Sequence, residues 1–404
     1  MKKTIKDISL QGKKVLVRVD YNVPLDDKQQ ITNDKRIVAT LPTVKYLLEQ
    51  KCAIILMSHL GRPKGKAVPS MSLKPAAARL KELLNVPVTM APDCVGPEVK
   101  KLAQNLKPGE ILLLENLRFH PEEEKNDPAF AAELASLGEV FVQDAFGTVH
   151  RAHASTAGIV KDMKLAAAGF LVEKELKYLG EALDKPQRPF IAILGGAKVS
   201  DKISVIENLL NKVDALIIGG GMTYTFLKAK GIEIGNSLLE ADKLDTAKAL
   251  MQKALDKKIE LMIPIDHIVS DKIDFAGKKV PEGAVVKETE GAEIPVGFIA
   301  ADIGPMSIKR FAPIVMKAKT IVWNGPLGVF EIDQFAKGTI EIAKLVAQAT
   351  EAGAISVVGG GDSISAVKKA GVDKKISHIS TGGGASLEFL EGKGLPGIEA
   401  LPNR

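Results

Sequence analysis

Arginine and histidine gather at four places in the first half of the chain, each just past a short apolar run. Arg18-Val19-Asp20-Tyr21-Asn22 closes the first run, and Arg36 opens the amphipathic stretch after it. Ser58-His59-Leu60-Gly61-Arg62 follows the second run, Glu115-Asn116-Leu117-Arg118 the third, and the segment from Asp144 to His153 the fourth. A guanidinium is a planar fork that meets carboxylate and phosphate through paired hydrogen bonds, so several at one edge make a cradle for a polyanion. One such arginine alone reads as a solvated surface charge. Arg36, Arg62, Arg118 and Arg151 in equivalent topological places read as a binding edge. His59, His150 and His153 stand beside Arg62 and Arg151, cations that oppose a metal, with no carboxylate or cysteine at ligand spacing. Hydrogen bonding to an anion is the role expected of them. His120, His267 and His378 are expected to be structural.

The second half follows its apolar runs with glycine instead: Gly195-Gly196-Ala197-Lys198 through Lys202, Gly219-Gly220-Gly221, Asn324-Gly325 through Glu331, Gly359-Gly360-Gly361-Asp362-Ser363, and Gly382-Gly383-Gly384. Glycine lets backbone approach a phosphate, and a helix start directs free N–H groups at it. One glycine pair is weak evidence, because tight strand-to-helix turns need glycine anyway; five clusters point to a nucleotide-phosphate site. Asp362 could hold nucleotide-bound Mg²⁺ or simply cap the following helix. No G-x-x-x-x-G-K-[ST] is present, which excludes a P-loop NTPase, and the protein-kinase motifs are missing too. The one G-x-G-x-x-G, starting at Gly392, lies in the tail after no strand.

The elements that must position these residues are short. Val15–Val19, Ala53–Met57, Ile111–Leu114 and Val140–Val142 in the first half are too brief for buried helices. So are Phe190–Leu194, Leu216–Ile218, Leu261–Ile263, Ile321–Trp323 and Ile355–Val358 in the second. Alternating with helical patterns, they read as strands of parallel sheets covered on both faces. The expected fold is α/β: two doubly wound, Rossmann-like parallel-sheet domains separated by a cleft and joined by a helix. Phe170–Asp184 carries helical spacing and stops at Lys185-Pro186. The expected domains are 1–170 with the tail 390–404 packing back on it, a linking helix at 171–185, and 186–389. Residues 266–301 read as turns and minor strands, and Gly392 to Arg404 as irregular.

Composition narrows the class. With 404 residues, 46% hydrophobic and 26% charged, the chain is globular rather than disordered. A net charge of +6 suits small anions, and 4% aromatic content argues against nucleic-acid binding. Two cysteines, Cys52 and Cys94, give no disulfide framework, and no apolar run is long enough to span a membrane. A cytoplasmic enzyme is the expectation, one domain collecting a polyanion and the other a nucleotide.

These motifs, in this order from Arg18-Val19-Asp20 to Glu388-Phe389-Leu390-Glu391-Gly392-Lys393, closely resemble those of the phosphoglycerate kinase family over nearly the whole chain. The resemblance implies reversible phosphoryl transfer from 1,3-bisphosphoglycerate to Mg-ADP, giving 3-phosphoglycerate and ATP, by a hinge-bending monomer of glycolysis. It implies acyl-substrate contacts at Asp20, Asn22, Arg36, His59, Arg62, Arg118 and Arg151, with catalytic roles for Arg36, Lys198, Gly382 and Gly383. For the nucleotide it implies Gly196, Ala197, Lys198, Lys202, Gly219, Gly220, Gly304, Asn324, Glu331, Gly360, Gly361, Asp362 and Ser363, with Asp362 toward Mg²⁺. Ser363 stands where the family commonly has Thr, Ile364-Ser365 is bulkier than the usual small stretch, and Ala300 replaces a frequent Gly. Another acyl-phosphate kinase, an ATP-dependent ligase and a non-catalytic nucleotide-binding protein on the same fold are the competing readings.

Overall fold

In the computed structural model, which describes all 404 residues, the apolar runs of the first half are β1 (Lys14–Arg18), β2 (Ala53–Met57), β4 (Ile111–Leu113) and β5 (Val140–Gln143). Two strands not expected from apolarity join them, β3 (Val88–Met90) and β6 (Leu165–Ala168). The six pair in parallel in the order β3-β4-β2-β1-β5-β6. β1, β2, β4 and β5 are buried nearly throughout, as sheets covered on both faces require. Ile37, Val44 and Leu47 of the helix Lys35–Glu49 close one face over Val15, Val17, Ile54 and Leu56.

The second half repeats the plan. β7 (Phe190–Leu194), β8 (Ala215–Ile218), β9 (Glu260–Met262), β13 (Thr320–Asn324), β14 (Ile355–Gly359) and β15 (His378–Ile379) pair in parallel in the order β15-β14-β13-β7-β8-β9. Trp323, Ile191, Phe311 and Val346 belong to its core. Between β9 and β13, residues read as minor strands form a small antiparallel sheet of β10 (His267–Ser270), β11 (Val286–Glu288) and β12 (Ile299–Ile303), in the order β11-β10-β12.

The chain forms two compact units, Met1–Lys177 with Gly394–Arg404, and Tyr178–Lys393. The division falls inside the helix Phe170–Asp184. The tail corrects one expectation. It is not wholly irregular, because Pro at the first turn preorganises a helical turn, Pro396–Glu399, and Gly397 N–H donates to the Val149 carbonyl at 2.8 Å.

Asp144, just past β5, anchors the start of the Phe170–Asp184 helix: its Oδ1 accepts from Leu171 N–H at 2.9 Å. Complete burial pushes this carboxyl up to about 7. Below about pH 3 both the folded and unfolded forms carry the proton, and this group leaves stability unaffected. As pH rises toward the folded value, the unfolded chain ionises first and stability falls. Asp144→Asn is expected to remove that fall, so the loss of stability between about pH 5 and about pH 8 shrinks by on the order of 1–3 kcal/mol. Urea unfolding at the two pH values measures it. An unchanged loss would show that Asp144 ionises freely in the fold. Asp302, likewise pushed up to about 7 by burial, remains in both proteins and sets the residual slope.

Candidate active site

In a doubly wound sheet, ligands sit past the carboxyl ends of the strands where the strand order reverses. In the first sheet the chain runs from β1 to β2 on one side and reaches β5 on the other, so the reversal lies at β1. A cavity of about 390 Å³ opens there, lined by Asp20 and Asn22 after β1, His59, Gly61 and Arg62 after β2, Arg118 and Glu124 after β4, and Gly147, Thr148, His150 and Arg151 after β5, with Arg36. All seven residues expected on the acyl-substrate side line this one cavity.

Four guanidinium groups face two carboxylates in that lining, which leaves an excess of positive charge. Asp20 holds Arg36 at 2.8 Å, and Asn22 Oδ1 accepts from Gly61 N–H at 2.9 Å. Arg118 donates to the Gly61 carbonyl at 3.0 Å and lies 3.4 Å from Glu124. Burial lowers the pKa of Arg118, partly offset by Glu124. Arg62 and Arg151 are exposed, with no acidic side chain on either, and are the two guanidinium groups open to a ligand. His59 and His153 are held below the ordinary histidine range, His153 at about 4, first by burial and then by the surrounding arginines. They enter neutral.

In the second sheet the reversal lies between β7 and β13, and glycine makes the contact there. A Cβ on Gly195 would stand 1.9 Å from the Pro326 carbonyl oxygen, and one on Gly325 would stand 2.2 Å from the Gly195 oxygen. A Cβ on Gly220, after β8, would stand 2.6 Å from the Gly196 carbonyl oxygen, and one on Gly219 would run into Leu327. Lys202 Nζ donates to Asn324 Oδ1, and Asn324 Nδ2 donates to the Gly359 carbonyl at 3.1 Å. Ser363 Oγ accepts from Gly325 N–H at 2.6 Å, a contact the hydroxyl of Thr would also make. Gly383 opens the helix Gly383–Leu390, and a Cβ on it would stand 3.9 Å from Gly360 Cα. The structure thus brings Gly196, Lys202, Gly220, Asn324, Gly360, Ser363 and Gly383 to one sheet edge. Ala197 and Lys198 stand exposed in the turn after β7, and no protein group engages the Lys198 ammonium. Burial lowers the pKa of Lys202.

Asp362 is not the cap of its helix. Gly360 caps Gly361–Lys369, and the exposed Asp362 carboxylate stands in the first turn, free to offer oxygen to a cation. Gly304 is placed apart from the cluster, starting the helix Pro305–Lys317 over the Asp266 carboxylate, and Glu331 is exposed beyond the β13 segment. Ala300 lies within β12, opposite Val269. Sequence reasoning missed Gly61, Glu124, Gly147 and Thr148 in the first cavity. Gly147 and Thr148 lay in a segment already singled out, whereas Glu124 carried no signal beyond an acidic helix start. His120 pairs with Asp93 at 2.7 Å, and Cys94 N–H donates to the same Asp93 oxygen at 2.6 Å, a self-satisfied cluster away from the cavity lining.

Two parallel-sheet units, one with a cationic cavity and one with a glycine-lined phosphate edge, define an α/β protein built to handle phosphoryl groups. The phosphoglycerate kinase family model matches residues 5–393, and the chain belongs to that family. It is 58% identical over 402 residues to the phosphoglycerate kinase of Chlorobium phaeobacteroides (strain BS1), covering 99% of each chain. It is 57% identical over 409 residues to that of Koribacter versatilis (strain Ellin345), covering 100% of each. The solved structure of phosphoglycerate kinase from Coxiella burnetii superposes with a TM-score of 0.89 at 42% identity, over 99% of this chain and 98% of that one.

Proposed function

We propose that the chain is a phosphoglycerate kinase, a phosphotransferase acting on a carboxyl group, which moves a phosphoryl group reversibly between 1,3-bisphosphoglycerate and ADP. One observation carries the reading: Asp20, Asn22, His59, Arg62, Arg118 and Arg151 from four loops, and Arg36 from the helix Lys35–Glu49, line a single cavity. That constellation suits a small ligand with a carboxylate at one end and a phosphate at the other. The glycine edge of the second unit takes the nucleotide phosphates, with Lys202 and Asn324 as donors, Ser363 beside them, and Gly304 and Glu331 toward the nucleoside. Mg²⁺ enters with the nucleotide as part of that substrate, and Asp362 is the carboxylate that meets it. Work as a monomer in the cytoplasm belongs to the same reading, supported by the glycolytic family; no helix is long and apolar enough to cross a membrane.

An acyl phosphate is already activated, so the transfer needs alignment and charge stabilisation rather than a covalent intermediate or a strong base. Arg36, held by Asp20, and the free ammonium of Lys198 supply charge for the phosphoryl oxygens, and Gly383 offers a helix-start N–H group beside Gly382, whose own N–H donates to Ser380 Oγ at 3.2 Å. A coupled assay with 3-phosphoglycerate and Mg-ATP tests the function. Turnover with other carboxylates but not with 3-phosphoglycerate would favour another acyl-phosphate kinase, and nucleotide binding without turnover would favour the non-catalytic reading.

Two expected results arise here. Arg62→Ala and Arg151→Ala should each weaken 3-phosphoglycerate binding by roughly tenfold at low salt, and by less as salt screens the charge. Mg-ATP affinity should stay near that of the parent, and calorimetry showing equal losses for both ligands would break the assignment of ligands to units. In-line transfer needs reacting atoms at about 3–3.5 Å, so hinge bending should bring the units together most fully when both ligands are bound. Small-angle scattering of the apo, binary and ternary states measures this. An identical radius of gyration in all four would refute it.

A further inference from the structure

The last residue of β1, Arg18, is a cation with no access to solvent, and it is not among the residues lining the cavity. Its Nε donates to Ser155 Oγ at 2.8 Å, its Nη1 donates to the Val19 carbonyl, and its Nη2 lies 3.3 Å from His59 Nδ1. Ser155 passes the contact on to Glu123: its Oγ donates to Oε1 at 2.5 Å and its N–H to Oε2 at 2.9 Å. Glu123 is also fully buried, so the guanidinium and its counter-carboxylate sit in the core with the serine hydroxyl between them. A buried charge is kept only when its position is worth the desolvation, and the position of Arg18 is fixed on three sides.

A guanidinium has five N–H donors and no acceptor. His59 Nδ1 facing it must therefore accept, and the proton of a neutral ring then belongs to Nε2. Nε2 has no protein partner and is not sealed from solvent, and the residue lines the cavity. We propose that Arg18 is a positioning residue: it locks His59 as the neutral Nε2–H tautomer, so that the ring offers the anionic substrate a donor without a charge. The inference rests on the reading of this cavity as the acyl-substrate site. The groups that face His59 agree with it. Burial first, then Arg18 from β1, Arg118 after β4, Arg36 from the helix Lys35–Glu49 and His153 after β5, all disfavour the second proton that would make the ring a cation. Asp20, the carboxylate in the same lining, is engaged by Arg36. His59 then adds no positive charge to the cavity through the usual histidine range, and the donor it offers stands beside the fixed charge of the arginines.

The test is ¹⁵N NMR of the imidazoles in the full-length protein, with and without 3-phosphoglycerate. In the parent, His59 should show the Nε2–H pattern and no titration between about pH 5 and about pH 8. An Nδ1–H pattern, or titration near the ordinary histidine value of about 6.5, overturns the proposal without any variant. Arg18→Lys keeps a charged donor and should retain the tautomer. Arg18→Met removes it, and should free the ring to titrate, raise KM for 3-phosphoglycerate by roughly tenfold with a smaller change in kcat, and make KM depend on pH. A folded Arg18→Met protein with His59 still locked as Nε2–H would also overturn it. If the free protein shows the lock but 3-phosphoglycerate leaves the His59 signals unmoved, the site assignment fails while the tautomer stands.

Discussion

Lys198→Met is expected to lower kcat by roughly 10²–10³-fold, the scale of losing one preorganised electrostatic donor. Met preserves the length of the side chain and removes only the ammonium. That group is exposed in the turn between β7 and the helix Ile203–Leu209 and makes no contact within the protein, so the fold loses nothing when it goes. Lys202, four residues on, differs: it is half-buried and tied to Asn324, and its removal would disturb the edge itself. The two lysines thus divide the work. Mg-ADP affinity in the Lys198 variant should change by less than about fivefold, since a group acting mainly on developing charge adds little to ground-state binding. Steady-state kinetics beside calorimetry checks this. Turnover close to the parent would remove Lys198 from the chemistry.

Gly325→Ala should damage the nucleotide unit more than any surface change. The residue has φ of 95°, in the region that disfavours side chains, and its added Cβ would stand 2.2 Å from the Gly195 carbonyl oxygen. Left-handed strain of order 1–3 kcal/mol and a comparable clash term combine to a loss of about 2–5 kcal/mol. The neighbouring backbone has no slack, because a side chain on Gly195 would likewise collide with the Pro326 carbonyl. Relief by movement would part the ends of β7 and β13 and pull Gly325 N–H from Ser363. Nucleotide affinity should therefore fall along with stability. Urea unfolding and nucleotide titration report the two effects separately, and a variant within about 0.5 kcal/mol of the parent would show that the close approach is not maintained in solution.

Much of this site could be read in the sequence because physics ties it to an easily seen signal. Buried parallel strands announce themselves as apolar runs, and ligands of such sheets gather just beyond them. Arg62, Arg118, Arg151, Lys202 and the glycine turns were therefore found from where the runs stop. Strands without that signature were not. β3 reads Val-Thr-Met and is only partly buried, and β6 reads Leu-Ala-Ala-Ala, with too little apolar bulk to stand out from a helix. Partnership across long separations was equally hidden. Glu123 looks like one of three acids opening a short helix, and nothing local tells that it is fully buried against Ser155 and serves Arg18 across the unit. Close backbone approach was half legible: a glycine after a strand was visible, but not that Gly195 and Gly325 exclude each other's side chains.

The return of Gly394–Arg404 to the first unit bears on how the protein is made. Lys2 bridges Asn403, Arg404 reaches Asp7 at 2.7 Å, and Gly397 is seated on Val149, so both chain ends close the same unit. On a ribosome the unit Tyr178–Lys393 is contiguous and is fully synthesised before the earlier unit receives its last segment. The unit begun first thus waits for residues that follow the whole of the second, and Gly394–Arg404 can close it only after Tyr178–Lys393 has been made. A chain linked from residue 404 back to residue 1, which already meet where Arg404 N–H donates to the Met1 carbonyl at 3.0 Å, and opened at another loop would change that order of synthesis while keeping the strand pairings of both units.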